Sequence, residues 1–203
     1  IIFPYVYKNE DFKNHFVTTL SEIYDNAEAE QLFYITIEEV MNWKRIDFIM
    51  KTPHQLEDNL AEKLTDVLNK LEKEQPIQYV FNKAHFFGLE FFVDENTLIP
   101  RQETEELVDW VLKTIAAEPN RNWKVLDIGT GSGCIPISVA KFAKNVDVTT
   151  LDVSEKAIEV AKKNALNNNV SIQFINESIL ELDALDSYDI IVSNPPYVRN
   201  LEK

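Results

Sequence analysis

Glycine is scarce in this chain. Ordinary usage of about 7% would place roughly 14 glycines in a sequence of this length. The 203 residues contain four, and Gly129, Gly131 and Gly133 fall within five positions. With one cysteine, Cys134, an internal disulfide is excluded, and three scattered histidines, His15, His54 and His85, offer no metal-ligand spacing. A reducing, cytoplasmic setting is expected. Lys plus Arg number 20 against 34 Asp plus Glu, a net charge of −14. A polyanion such as nucleic acid would be repelled unless a local basic face existed, and no basic run is found. Apolar stretches of about 18 residues are also missing, as is a basic segment followed by an apolar one, so neither a membrane span nor secretion is expected.

Against these absences stand 45% hydrophobic and 11% aromatic residues, ample for a packed core. Phe12, Phe16, Leu20, Ile23 and Tyr24 recur at helical spacing over 11–24, and Phe33, Ile37, Val40 and Met41 repeat the pattern. A third stripe, Leu60, Leu64, Val67, Leu68 and Leu71, runs over 56–74 and is closed by Pro76. These helices predict a bundle over 1–75. The period then changes: 84–93 is aromatic and β-branched around Gly88, which predicts a β-hairpin within a linker spanning 76–100. From 101 to 203 the pattern is α/β. A helix over 103–117 precedes strands at 125–128, 146–151, 172–175 and 189–192, with helices at 133–142 and 154–167 between them. Alternation at these lengths predicts a parallel sheet with helices on both faces. The last strand is an apolar run of the kind found mid-sheet, so the expectation is that this is a fragment, the sheet being completed by residues beyond Lys203.

Two places carry chemistry. Val125 to Ile128 is a buried-strand run that leads into Gly129-Thr130-Gly131-Ser132-Gly133 and then a helix. A backbone freed of Cβ atoms, ending at the donor-rich start of a helix, is suited to cradle a ligand. The G-x-G-x-G spacing departs from the dinucleotide fingerprint, whose last glycine would fall at Cys134, and from the hydrolase elbow, because Thr130 and Cys134 flank Ser132. Asp152 lies 23 residues after Gly129 at the end of the second strand, where a carboxylate accepts from both hydroxyls of a ribose. The plainer alternative is that Asp152 or Ser154 caps the next helix. Ser193-Asn194-Pro195-Pro196-Tyr197 follows the fourth strand, at the same carboxyl edge of the sheet. There the Asn194 side chain and the Pro195 carbonyl are fixed acceptors beside an aromatic ring, suited to orient an NH2 group. A simple loop terminator is the alternative.

Taken together, Gln75-Pro76-Ile77-Gln78-Tyr79, Gly88, the 98–105 segment Leu-Ile-Pro-Arg-Gln-Glu-Thr-Glu, the 127–133 glycine turn and Asn194-Pro195-Pro196-Tyr197 resemble the bacterial release factor glutamine methyltransferases. The resemblance covers roughly residues 75–199 and implies a Rossmann-like class I methyltransferase domain that uses S-adenosylmethionine. It further implies methylation of the side-chain amide of the glutamine in the Gly-Gly-Gln loop of class I peptide release factors, by a monomer whose helical domain recognises the substrate. On this likeness Gly129, Thr130, Gly131, Ser132 and Gly133 hold the methionine end of the cofactor and Asp152 its ribose, with Ile179 and Asn194 also at the cofactor. Asn194 and Pro195 accept from the substrate amide, Pro196 stiffens the loop and Tyr197 packs on the reacting group. Pro100, Arg101, Thr104 and Glu105 line the substrate pocket; for Arg101, among Asp94, Glu95, Glu103, Glu105 and Glu106, a solvated ion-pair cluster is the alternative. Where the family often has an acidic residue followed by an aromatic one near the adenine, this chain reads Asn176-Glu177-Ser178-Ile179.

Two other readings compete. A similar Asn-Pro-Pro-Tyr serves methyltransferases of adenine or cytosine amino groups, although the acidic balance opposes the phosphate contacts a flipped base requires. The second is a binding module without turnover. An NAD-dependent enzyme is disfavoured by the glycine spacing.

Overall fold

The structure, a computed structural model, describes residues 8–51, 55–182 and 186–195. Two compact units divide the chain, 1–81 and 82–203.

In the first unit the apolar stripes form helices α1 (Asn9–Leu20), α2 (Asn26–Met41) and α4 (Asp58–Leu71). Asp25 opens α2 by accepting from the Glu28 N–H at 2.8 Å. The core is aromatic: Phe33 meets Phe16 and Phe48 edge-on, with ring centroids 5.4 and 5.1 Å apart. Two short helices escape the periodic reading. The first, α3 (Arg45–Lys51), buries only Phe48, too little for a stripe to register. The second, α5 (Ile77–Val80), starts where a stop was expected, for Pro76 ends no helix: α4 has already closed at Leu71, and the Pro76 carbonyl accepts from the Tyr79 and Val80 N–H groups.

The second unit begins with a hairpin, β1 (Ala84–Phe86) and β2 (Leu89–Phe91), whose two-residue turn has positive φ at both Phe87 (50°) and Gly88 (73°). That turn matches the twist of antiparallel strands, but a bulky residue rarely adopts it. Phe87 is held there by its N–H donating to Glu105 Oε1 at 2.7 Å and by its ring meeting Phe142 at 5.5 Å. After α6 (Glu103–Ala117) come β3 (Trp123–Ile128), α7 (Cys134–Phe142), β4 (Val146–Asp152), α8 (Glu155–Asn167), β5 (Gln173–Asn176) and β6 (Ile190–Ser193). The sheet is parallel in the order β5-β4-β3-β6.

The expectation of helices on both faces needs correction for the described residues. Crossovers β3-α7-β4 and β4-α8-β5 step towards the same edge, and right-handed crossovers that continue in one direction place their helices on one face. Residues of α6, α7 and α8 accordingly share one core with Val125, Val148 and Val192, which the register puts on a common face. On the opposite face Ile191 of β6 is exposed, while Leu126 of β3 and Leu151 of β4 are buried. None of the described helices is long and apolar enough to cross a membrane.

Candidate functional site

In a parallel sheet every strand ends at the same edge, and the two sequence motifs leave adjacent strands there: Ile128 of β3 pairs with Ser193 of β6. The edge is laced by hydrogen bonds. Ser193 Oγ donates to the Ile128 carbonyl at 2.7 Å, and the Gly129 N–H donates to the Leu151 carbonyl at 2.8 Å. Asn176 Nδ2 donates to the Asp152 carbonyl at 2.9 Å, which ties in β5.

The glycine turn has φ of 88°, 52° and 81° at Gly129, Gly131 and Gly133. Among the described residues, a Cβ at Gly129 or Gly131 would meet nothing within 4 Å, so these leave space over the turn. At Gly133, by contrast, a Cβ would lie 2.8 Å from Ile137 Cδ1 and 3.1 Å from Ala161 Cβ, both in packed surroundings. Gly133→Ala should therefore cost roughly 1 to 3 kcal/mol from overpacking and left-handed strain. Thermal melts check this, and an unchanged midpoint would mean that α7 shifts at no cost.

Asp152 serves the turn directly. Its Oδ2 accepts from the Gly131 N–H at 3.0 Å and its Oδ1 from the Ser154 N–H at 2.9 Å. Each oxygen keeps a lone pair for another donor. The capping alternative is resolved by Ser154, whose hydroxyl accepts from the Ala157 N–H at 3.2 Å and opens α8. Thr130 and Ser132 are buried in the turn, and Ile179 is half-buried in a turn that follows β5.

Two residues of this region were given no role of their own by the sequence. Asp127, next to the end of β3 and 1% exposed, accepts at Oδ2 from Thr150 Oγ1 at 2.7 Å, while its Oδ1 has no partner among the described residues. With the Thr150 proton committed to Asp127, Thr130 donates to Thr150 across 2.6 Å. Burial pushes the Asp127 carboxyl up to about 7; the Thr150 hydrogen bond opposes the shift and the Asp152 charge adds to it. Asn164, fully buried on α8, donates from Nδ2 to the carbonyls of Phe92 (2.8 Å) and Ser132 (2.9 Å) and accepts at Oδ1 from the Phe92 N–H (2.7 Å). It clamps the chain leaving the hairpin to the glycine turn. The sequence signal for each is a polar residue at a position the apolar pattern assigns to the interior, and Asp127 also opens the 127–133 motif. Cys134 is a packing residue, its thiol pushed up to about 12 by burial and so protonated at neutral pH.

Of the second motif, Asn194 and Pro195 are described and exposed, whereas Pro196 and Tyr197 lie outside the described residues. Asn194 Nδ2 donates to Thr104 Oγ1 at 2.9 Å. This contact brings the first turn of α6 to the edge. Glu105, in the same turn, spends its carboxylate on the Phe87 N–H. Pro100 is half-buried, and Arg101 is exposed, with its carbonyl accepting from the Thr104 N–H at 3.0 Å. Among the described residues no cluster of His, Cys, Asp or Glu could hold a metal ion.

Comparison with known proteins identifies the lineage. The family model described as the PrmC N-terminal domain matches residues 13–81, and that of the methyltransferase small domain matches residues 104–203. The release factor glutamine methyltransferase of Flavobacterium psychrophilum is 47% identical over 196 residues, 96% of this chain and 69% of that protein. The chain belongs to the release factor glutamine methyltransferase family. Family members from Clostridium acetobutylicum and Streptococcus pneumoniae are 40% and 38% identical, over 83% and 87% of this chain. The chain spans 60 to 69% of the length of these three curated relatives. Among solved structures, an S-adenosylmethionine-dependent methyltransferase from Agrobacterium tumefaciens aligns with 56% of this chain and 39% of its own, at 26% identity and a TM-score of 0.48.

Proposed function

We propose that this chain binds S-adenosylmethionine at the glycine turn and directs its methyl group to the side-chain amide nitrogen of the Gly-Gly-Gln glutamine of class I release factors in the cytoplasm. The reading rests on one juxtaposition: the glycine turn and Asn194 leave paired strands, β3 and β6, at neighbouring positions. The residues suit the cofactor. Among the described residues, nothing crowds Gly129 and Gly131 and one buried oxygen of Asp127 has no partner, while Asp152 keeps acceptor capacity. Asp152, together with Asp127 in its ionised form, sets negative charge beside the turn, which fits a ligand carrying sulfonium and ammonium charges. When bound, S-adenosylmethionine supplies an electrophilic methyl group.

The chain itself supplies placement. Gly129 to Gly133 would hold the methionine end, Asp152 would accept from the ribose hydroxyls, and Ile179 would pack beside the nucleoside. Asn194 and Pro195 would accept the two N–H hydrogens of the glutamine amide, which aims its nitrogen and favours the positive charge that develops as it attacks. Pro196 would stiffen that loop and Tyr197 pack on the amide. An amide is a weak nucleophile, so position counts for more than a strong base. Within the wider protein, residues 1–75 would recognise the release factor, the 76–100 segment would link, and 101–203 would carry the chemistry.

The test is incubation of the whole protein with labelled S-adenosylmethionine and a release factor, followed by location of the label. Label on the Gly-Gly-Gln glutamine supports the proposal; label on nucleic acid, or none, sinks it. At the ribose, Asp152→Ala should lose roughly 1.5 to 3 kcal/mol, or about tenfold to 150-fold in affinity for S-adenosylhomocysteine by calorimetry. Unchanged affinity would move the ribose contact elsewhere.

A further inference from the structure

The buried residues of α6 are Thr104, Val108, Val111 and Ile115, spaced as one stripe, the three apolar ones in the core of the second unit. Three are apolar and one is not. Thr104 is 9% exposed, and a valine there would extend the stripe with the same shape. Its hydroxyl is engaged 90 residues away in sequence, as acceptor of the 2.9 Å hydrogen bond from Asn194 Nδ2. A side-chain amide has two ends. With its NH2 directed at Thr104, the Asn194 carbonyl oxygen is left for another donor.

We infer that Thr104 is a positioning residue rather than part of the substrate pocket: it acts through Asn194, holding that amide in the one orientation that presents an acceptor to the incoming glutamine. The inference rests on the role proposed above for Asn194. Thr104 is well placed for such a task because it is itself fixed. Its N–H donates to the Arg101 carbonyl at 3.0 Å, and Val108, one turn on, is fully buried. The neighbouring Glu105 anchors the same turn to Phe87 at 2.7 Å. An Asn194 without this contact would sample both amide orientations, only one of which offers the oxygen.

The test uses Thr104→Val, Thr104→Ser, Asn194→Ala and the double variant Thr104→Val/Asn194→Ala in the whole protein. Release factor methylation gives kcat and KM, and calorimetry gives S-adenosylhomocysteine affinity. Thr104→Val should lower kcat roughly three- to tenfold, the range of one hydrogen bond, with cofactor affinity within about twofold of normal. Thr104→Ser should restore the rate. Because Thr104 acts only through Asn194, the double variant should be no slower than Asn194→Ala alone. A normal kcat in Thr104→Val, or losses that add in full in the double variant, would overturn the inference while leaving the role of Asn194 intact. A normal rate in Asn194→Ala would instead remove the role on which the inference stands.

Discussion

Asn194→Ala should reduce turnover about a hundredfold or more while S-adenosylhomocysteine affinity changes little. The scale follows from positioned polar groups elsewhere, whose removal costs about 2.7 to 4 kcal/mol at the transition state. The separation of the two effects follows from geometry. Asn194 is exposed at the end of β6 and bonded to Thr104, whereas the contacts that shape the glycine turn come from Asp152, Leu151 and Asn164. What the variant loses is orientation of the nucleophile, felt in kcat rather than in cofactor binding. Asn194→Asp is the sharper probe, since it keeps an acceptor oxygen at similar size, and it should retain more activity than alanine. An alanine variant that methylates release factor at the normal rate would make Asn194 a turn residue only.

Asp127→Asn should stabilise the protein at alkaline pH and weaken its hold on the cofactor. Burial raises this carboxyl from 3.8 to about 7. The folded protein therefore binds the proton more tightly than the unfolded chain does, and ionisation in the fold is costly. The stability linked to this proton is fully present below about pH 4 and declines as pH rises towards about 7. At 1.36 kcal/mol per pH unit the span is about 4 kcal/mol at most. The amide variant would carry no such dependence. It has an oxygen to accept from Thr150, so the hydroxyl chain to Thr130 can persist. Thermal melts of both proteins at pH 5 and pH 8 test this: the gain should be smaller at pH 5 and larger at pH 8. Equal shifts at the two pH values would mean that Asp127 titrates as an ordinary carboxylate. An ionisable group buried at this cost, its Oδ1 without a partner among the described residues, accords with service to a cationic ligand.

Local pattern was enough to read the principal elements. Leu64, Val67, Leu68 and Leu71 make an unmistakable helical stripe, and they are the buried residues of α4. The strands that became β3 to β6 were each visible as short apolar runs, and the hairpin as a change of period around Gly88. Ends were less legible. The first helix stops at Leu20, four residues short of the expected end, and leaves Ile23 exposed. There the Leu20 carbonyl accepts from the Ile23 and Tyr24 N–H groups, and this turn replaces the last helical one. The α3 and α5 helices bury too little to leave a periodic trace.

The sequence by itself determined the class of fold, the place of the glycine turn, and the position of Asn194 and Pro195 just beyond a strand, because each depends on neighbours within a few positions. Tertiary structure alone decided the rest. Strand order, and with it the pairing of Ile128 with Ser193, arises from crossover handedness and from which edges remain free, neither of which is written in a local window. The same holds for Thr104 and Asn194, 90 residues apart, and for Asn164, which joins Phe92 to Ser132. Asp127 shows the limit most clearly: its place in the chain could be read directly, but its proton affinity is set by exclusion of water and by Thr150 and Asp152, which only folding brings around it.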